Sequence, residues 1–168
     1  MKAMQLIRWA MQMTEQGTAA LVADMRDAPL TCATPGARGG DGNHPIWLLG
    51  HLAYIEGAVQ HVLLGESNPV EHWGPLFASG TRSTQDAGKY PSFDEVLGKY
   101  RALRAANLKL LDALGEAGLD RPPKWVPPGF EDSMKTAGQT LLLICLHNMV
   151  HYGQIADARR VAGRKPLM

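Results

Sequence analysis

Residues 141–168 read LLLICLHNMVHYGQIADARRVAGRKPLM, and this stretch decides which fold the sequence predicts. Its apolar spacing indicates a helix that starts near Thr136 and ends at Gly163, a residue type suited to the position just past a helix. A helix turns by about 100° per residue, so His147 and His151 lie about 40° apart on one face. We expect that face to point into a helical core, because it also carries an apolar stripe: Leu143, Ile144, Val150, Ala158 and Val161.

A second helix is predicted around His51. Asn43 or His44 can cap its start, Pro45 suits its first position because no backbone N–H is needed there, and Gly65 ends it. His51 is central on the apolar face of this helix, so it too should point inward. The other members of that face are Trp47, Leu48, Tyr54, Ile55, Ala58 and Val62.

Three inward histidines predict a site for one divalent metal ion. Two imidazoles at positions i and i+4 can reach the same ion, and a third can come from a facing helix. Three protein ligands leave coordination positions open, as in catalytic rather than closed structural sites. The candidate ligands are therefore His51, His147 and His151. The alternative is that they are hydrogen-bonded core histidines, and spacing alone gives both interpretations equal weight.

Four more residues are predicted to lie around this site, and the sequence identifies no catalytic residue. Gln154 follows His151 on the same side and can hydrogen-bond an imidazole or a bound water, although an ordinary glutamine at the core edge is an equal alternative. His44 is expected at the mouth of the site or in the helix cap. Trp47 and Tyr54 are expected to border the pocket.

The remaining sequence predicts an all-α fold, a four-helix bundle. The other two helices are expected from Lys2 to Asp27, and from a capping box at Ser92 to about Leu114. Gly- and Pro-rich connections separate the helices, and two of them are long enough to be crossovers. The length fits a single domain over residues 1–168.

The composition excludes several classes of function. A net charge of +1, without a basic stretch interleaved with aromatics, argues against a nucleic-acid surface. No apolar run approaches the roughly 18 residues that span a membrane, and the first residues do not resemble a signal peptide. Two distant cysteines, Cys32 and Cys145, form no disulfide framework or metal-finger motif. We therefore expect a protein of the reducing cytoplasm.

The last helix is also apolar on the side opposite its histidines. This back face consists of Leu142, Cys145, Met149, Tyr152 and Ala156. A helix that is apolar almost all round must be covered on both sides. A long loop and the second subunit of a homodimer are equal candidates for that cover.

Two of these stretches resemble the DinB/YfiT-like superfamily. Residues 141–168 are similar to its C-terminal helix, where H-x3-H is followed by G-Q and a short Arg/Gly/Pro tail. Residues 44–53, HPIWLLGHLA, resemble its second helix, with W-x-L-G-H-L-A around the first ligand. The resemblance covers about a quarter of the chain. It implies an up-down-down-up bundle and one divalent ion, zinc or nickel in the first place and otherwise iron, cobalt or manganese, held by His51, His147 and His151.

The same resemblance implies a class of reaction. Superfamily members with assigned activities use low-molecular-weight thiols, as in bacillithiol S-transferases and mycothiol-dependent isomerases. The expected function is therefore a metal-dependent thiol S-transferase, with a small-molecule thiol and an electrophile as partners. One alternative is a metal-dependent hydrolase, although neither inward stripe offers an acidic residue as a general base. The other is a non-enzymatic metal-binding protein involved in stress or in protein interactions, because a fold does not fix a function.

Overall fold

The computed structural model describes residues 2–32 and 42–167, and all regular structure within them is helical. This confirms the predicted all-α class. Part of the predicted Gly/Pro-rich loop between the first two helices lies outside the described residues. The helices are α1 (Ala3–Ala23), α2 (Pro45–Leu64), α3 (Gly74–Phe77), α4 (Phe93–Gly118) and α5 (Ala137–Val161), and short 3₁₀ helices cover Glu71–Trp73 and Ala87–Lys89.

The helix ends follow the local chemistry that the sequence predicts. His44 caps α2, because its Nδ1 accepts a hydrogen bond from the backbone N–H of Trp47. Gly65 ends the same helix in a left-handed conformation. Ser92 and Thr136 cap α4 and α5, each accepting a bond from the backbone N–H three residues later. Short-range hydrogen bonding therefore determines where three of the four long helices begin.

One predicted boundary is wrong: α1 ends before the predicted residue, and two ion pairs follow its end. The sequence predicts that α1 reaches Asp27, but the helix ends at Ala23. Beyond it, Asp24 lies 2.6 Å from Arg159, and Asp27 lies 2.6 Å from Arg164. Both arginines belong to the end of α5 or the residues after it, so the two helices are tied together at that end.

The long helices pack side by side in pairs. α1 lies along α5, α2 lies along α4, and each pair also contacts the other through α1–α4 and α2–α5. One part of the core surrounds Trp47, Phe77 and Tyr100, and a second part surrounds Met11 and Leu141. α2 and α5, which carry the three candidate ligands, are therefore direct neighbours.

The back face of α5 is only partly covered. Cys145 is buried, and Tyr152 and Ala156 are half-buried within the core. Leu142 and Met149 remain 38% and 47% exposed among the described residues. In spite of this apolar character, no helix in the described part of the chain is long and apolar enough to cross a membrane.

Candidate metal centre

The histidines of α2 and α5 meet at one point. The Nε2 atom of His147 lies 3.2 Å from Nε2 of His51 and 3.0 Å from Nε2 of His151. One nitrogen from each ring falls within 4.8 Å of the others, so the three residues form a group that could hold a metal ion. His51 is buried, while His147 and His151 are half-buried and therefore reachable from solvent.

Hydrogen bonds at the far side of two rings determine which nitrogen faces the centre. His51 Nδ1 donates to the backbone carbonyl of Phe77 at 2.7 Å. His151 Nδ1 donates to Oε1 of Gln154, also at 2.7 Å. A neutral imidazole that donates from Nδ1 has its lone pair on Nε2. Both rings thus direct a lone pair to the centre, which is the usual arrangement of a metal-binding histidine with an outer partner.

The electrostatic environment keeps the three rings neutral. Burial lowers the pKa of His51 and His151, and it lowers the pKa of His147 to about 4, with the neighbouring His151 and His51 adding to the effect. Neutral imidazole is the form that binds metals. At neutral pH the cluster therefore offers three uncharged nitrogen donors without first releasing protons.

The donor set fits a divalent metal ion. Two lone pairs that face a third nitrogen at 3.0–3.2 Å need a shared proton or a cation between them. Nitrogen ligands about 2.1 Å from an ion would be about 3.4 Å apart in a tetrahedron and about 3.0 Å apart at a right angle. The two separations from Nε2 of His147, 3.2 and 3.0 Å, fall within that range. Nδ1 of His147 is buried and has no partner among the described residues, so no competing hydrogen bond holds that ring.

Trp47 and Phe77 form the wall behind His51. The Trp47 ring stacks on His51 with 5.0 Å between centroids and an angle of 7°. Phe77 is fully buried, and its ring packs directly on the backbone at Gly50. A side chain at position 50 would occupy the space of that ring. The small residue before His51 therefore lets α3 approach α2 closely enough for the Phe77 carbonyl to reach the imidazole.

Replacing Gly50 with alanine is expected to destabilise the fold by about 2 kcal/mol, because the new methyl group overlaps the immobile Phe77 ring. It should also weaken zinc binding, since Phe77 must shift and its carbonyl holds His51. Chemical unfolding and zinc titration measure the two effects. Gly98→Ala is the matched control at an exposed position of α4, where the new methyl group meets no described atom within 4 Å, and it should add about 0.5–1 kcal/mol of stability. Equal effects of the two substitutions would contradict the close-approach explanation.

The four residues predicted to lie around the site differ in how they are placed relative to the three histidines. Gln154 and Trp47 contact the triad directly, through the bond to His151 and the stack on His51. His44 is fully buried in the helix cap, where its Nε2 donates to the carbonyl of Thr84. Tyr54 is half-buried, and its hydroxyl lies next to Gly74.

Sequence reasoning did not find Phe77, which holds His51 through its main chain. A hydrogen bond made by a backbone carbonyl cannot be predicted from a pattern of side chains. Phe77 also lies in the connection after α2, whose path the sequence did not predict. Cys145 stays outside the centre, as the helical wheel predicts: its thiol donates to the carbonyl of Leu141, and burial raises its pKa.

Two comparisons with known proteins bear on the family of this chain. The sequence profile of the DinB superfamily matches residues 10–155, which is most of the chain and includes all three histidines of the cluster. A search of curated proteins found no match.

Proposed function

Because this chain belongs to the DinB superfamily, a metal-binding group of helical proteins, we propose that it holds one divalent metal ion through His51, His147 and His151. We further propose that it uses the ion to transfer a low-molecular-weight thiol to an electrophile. The convergence of the three rings, with Nε2 of His147 3.2 Å from that of His51 and 3.0 Å from that of His151, carries this proposal. Zinc and nickel are the first candidates for the ion, followed by iron, cobalt and manganese, because imidazole nitrogen accepts all of them.

The proposed bundle has up-down-down-up connectivity, with long crossovers between its helices. Side-chain pairs along the helices support this arrangement. α1 meets α4 in opposite order along the sequence, whereas α1 meets α5 in the same order. The pairs from α1 and the residues after it to α4 are Arg8–Asp112, Glu15–Arg101 and Arg26–Asp94. Those from α1 and the residues after it to α5 and its end are Thr18–Asn148, Asp24–Arg159 and Asp27–Arg164.

The charge of the site favours a thiol over a neutral substrate. The three imidazoles are uncharged, and the metal-ligating group among the described residues contains no carboxylate. A bound divalent ion therefore supplies an uncompensated positive charge that lowers the pKa of a nearby thiol. His147 and His151 are half-buried, while Trp47 stacks on His51 and covers the side behind it.

The proposed transfer is a simple displacement. The thiol loses its proton to solvent, its sulfur forms a bond to an electrophilic carbon, and the bond from that carbon to the leaving group breaks. The protein positions the sulfur and excludes water from the Trp47 side. The leaving group departs with the electron pair of the broken bond, so no redox partner is needed, because neither the sulfur nor the carbon is oxidised or reduced.

A metal-dependent hydrolase is the second enzymatic alternative, and it has less support. Hydrolysis at such a centre calls for a general base. The buried acidic residue on α2, Glu56, binds Arg104 and Asn107 instead. A non-enzymatic metal-binding protein is the third alternative, and a shell closed by a fourth protein ligand would favour it.

Thiol consumption by the zinc- and nickel-loaded protein tests the proposal. The assay offers glutathione, cysteine, coenzyme A, bacillithiol and mycothiol, each with an alkyl halide, an epoxide and an activated aryl halide. We expect at least one pair to react at least 10-fold faster with loaded protein than with the His51→Ala, His147→Ala, His151→Ala triple variant. If the loaded protein binds one ion per chain but accelerates no pair, the proposed transferase activity is rejected, while the proposed metal binding stands.

A further inference from the structure

A cleft at the C-terminal end of α2 is not part of the metal centre. Its volume is about 350 Å³, within the range of about 300–1,000 Å³ that is usual for small-ligand sites. The end of α2, the connection that follows it and the loop before α5 surround this cleft. We call it the Trp125 cleft; the side chains that shape it include Tyr54, His61, Glu66, Asn68, Glu71 and Trp125.

Hydrogen bonds hold one wall of the Trp125 cleft against α2. Asn68 donates to the backbone carbonyl of Tyr54 at 3.1 Å, and its Oδ1 accepts a bond from the backbone N–H of Val70. Gly57 allows this close approach, because a methyl group at that position would overlap Asn68 Oδ1. The connection after α2 is therefore fixed on the helix, and this side of the cleft is formed before a ligand binds.

The opposite wall presents an exposed tryptophan in a fixed position. The backbone N–H groups of Lys124 and Trp125 both donate to the carbonyl of Val62, at 2.8 and 3.2 Å, so this part of the loop is tied to α2. The Trp125 ring lies beside the His61 ring with 4.9 Å between centroids, and Trp125 is still 45% exposed. An indole ring held in this way can offer its π face to a cation.

The charge of the Trp125 cleft favours a positive ligand. Glu66 and Glu71 are exposed, and neither carboxylate forms an ion pair or a hydrogen bond with another described residue. His61 Nδ1 donates to the backbone carbonyl of Glu66 at 3.2 Å, which holds that residue beside the rings. The described residues that line the cleft include no Lys or Arg. Two uncompensated carboxylates attract a cation and repel an anion.

An organic cation matches this cleft better than a metal ion does. His61, Glu66 and Glu71 are not among the described side chains whose donor atoms come together as a metal-ligating group. An aromatic ring, in contrast, binds an alkylammonium group through its π face and through contact with the carbon atoms. A ring beside unpaired carboxylates therefore indicates an ammonium ion that carries carbon groups.

We propose that the Trp125 cleft binds a small organic ammonium ion, with its alkyl groups on the Trp125 ring and its charge facing Glu66 and Glu71. The inference does not rest on the proposed activity. His61 follows His51 by ten residues, about 15 Å along the axis of α2, so the cleft and the metal centre are separate sites.

NMR of the indole N–H groups in the full chain, titrated with organic ammonium ions, tests this proposal. The probes are choline and butylammonium, each compared with a neutral counterpart, 3,3-dimethylbutan-1-ol and 1-butanol. At least one ammonium ion should bind at least about 10-fold more tightly than its counterpart, because the two differ mainly in charge. The Trp125 signal, assigned with Trp125→Phe, should shift, while that of Trp9, which is 57% exposed on α1, should not.

Two changes in the cleft should each weaken the binding by about 10-fold. Trp125→Ala removes the ring, and the double change of Glu66→Gln with Glu71→Gln removes the charge. Glu95→Gln is the matched control, because Glu95 is an exposed glutamate of α4 outside the cleft, and it should bind the ions as the wild type does. The replaced side chains are exposed, so helical circular dichroism and zinc binding should stay unchanged in all variants.

Several outcomes would overturn the proposal. One is a Trp125 signal that does not move at about 10 mM of either ion, well above the dissociation constant of a weak millimolar site. Others are equal binding of the ions and their neutral counterparts, binding that survives both changes in the cleft, and binding lost with Glu95→Gln.

Discussion

Replacement of His147 by alanine is expected to lower the affinity for zinc by at least about 100-fold. This is a larger loss of affinity than is expected when a residue that only hydrogen-bonds a metal ligand is replaced. His147 is the central member of the triad, with its Nε2 within 3.2 Å of both other rings. It is also the cleanest ligand to remove. Its Nδ1 has no partner among the described residues, whereas removing His51 would leave the Phe77 carbonyl unpaired. Isothermal titration with zinc gives the affinity directly.

The same variant should separate metal binding from folding. Zinc at 100 times its dissociation constant should stabilise the wild type by about 2.7 kcal/mol, because only the folded chain presents the assembled site. The variant should gain almost nothing from the same zinc concentration. Without metal, its stability should stay within about 1 kcal/mol of wild type, since the hydrogen bonds lost are only those between Nε2 of His147 and the other two rings. An unchanged zinc affinity would show that these histidines are core residues and not ligands.

Gln154→Leu provides a graded control. Gln154 accepts the hydrogen bond from His151 Nδ1 and does not face the centre itself. Its loss should cost about 10-fold in zinc affinity, because the His151 ring is then less well oriented. A larger loss for Gln154→Leu than for His147→Ala would mean that the ion lies elsewhere.

The sequence predicts the parts of this protein that depend on local chemistry. The caps at His44 and Ser92, the end of α2 at Gly65 and the α5 cap at Thr136 follow from residue types at adjacent positions.

The i, i+4 spacing puts His147 and His151 on one side of α5, as helical periodicity predicts. The predicted inward stripe around them is only partly correct: Ile144 and Ala158 are buried, but Val150 and Val161 are 63% and 56% exposed, because that face lies at the edge of the core.

Features that depend on distant contacts escaped the sequence analysis. The regular part of α4 ends near Leu114, as predicted, because Gly115 leaves helical geometry with a φ of 61° and a ψ of −179°; the short turn from there to Gly118 was not predicted. The long connection after α2 folds into short helices, which bring Phe77 against Gly50. A helical wheel gives the direction of a side chain on one helix but not the residue that meets it on another.

The buried pair of Glu56 and Arg104 is the strongest example of such a contact. The helical wheel places Glu56 about 140° from His51 but does not identify its partner. In the structure both side chains are 1% exposed, and Glu56 Oε1 lies 2.6 Å from Arg104 Nη2. Burial raises the pKa of Glu56, and the Arg104 guanidinium opposes that rise. Asn107 donates a further hydrogen bond to the carboxylate at 2.8 Å.

Removing either charge of this pair should destabilise the protein by about 3–5 kcal/mol, because the remaining charge is then buried without compensation. Glu56→Leu and Arg104→Met are the test variants, and urea unfolding gives the free energy of each. The double variant should be more stable than either single one, since an apolar pair of similar volume leaves no charge in the core. The coupling between the two positions should therefore exceed about 2 kcal/mol.

An exposed ion pair between the same kinds of residue provides the control. Arg26 and Asp94 join α1 to α4, with side chains 59% and 69% exposed. Arg26→Met should change the stability by less than about 1 kcal/mol, because water and salt screen the attraction and readily solvate the remaining carboxylate. If Arg104→Met proved equally mild, the core around Glu56 would have to admit water. If the stability losses of the two single variants add up to that of the double variant, the two charges do not depend on each other for their effect on stability.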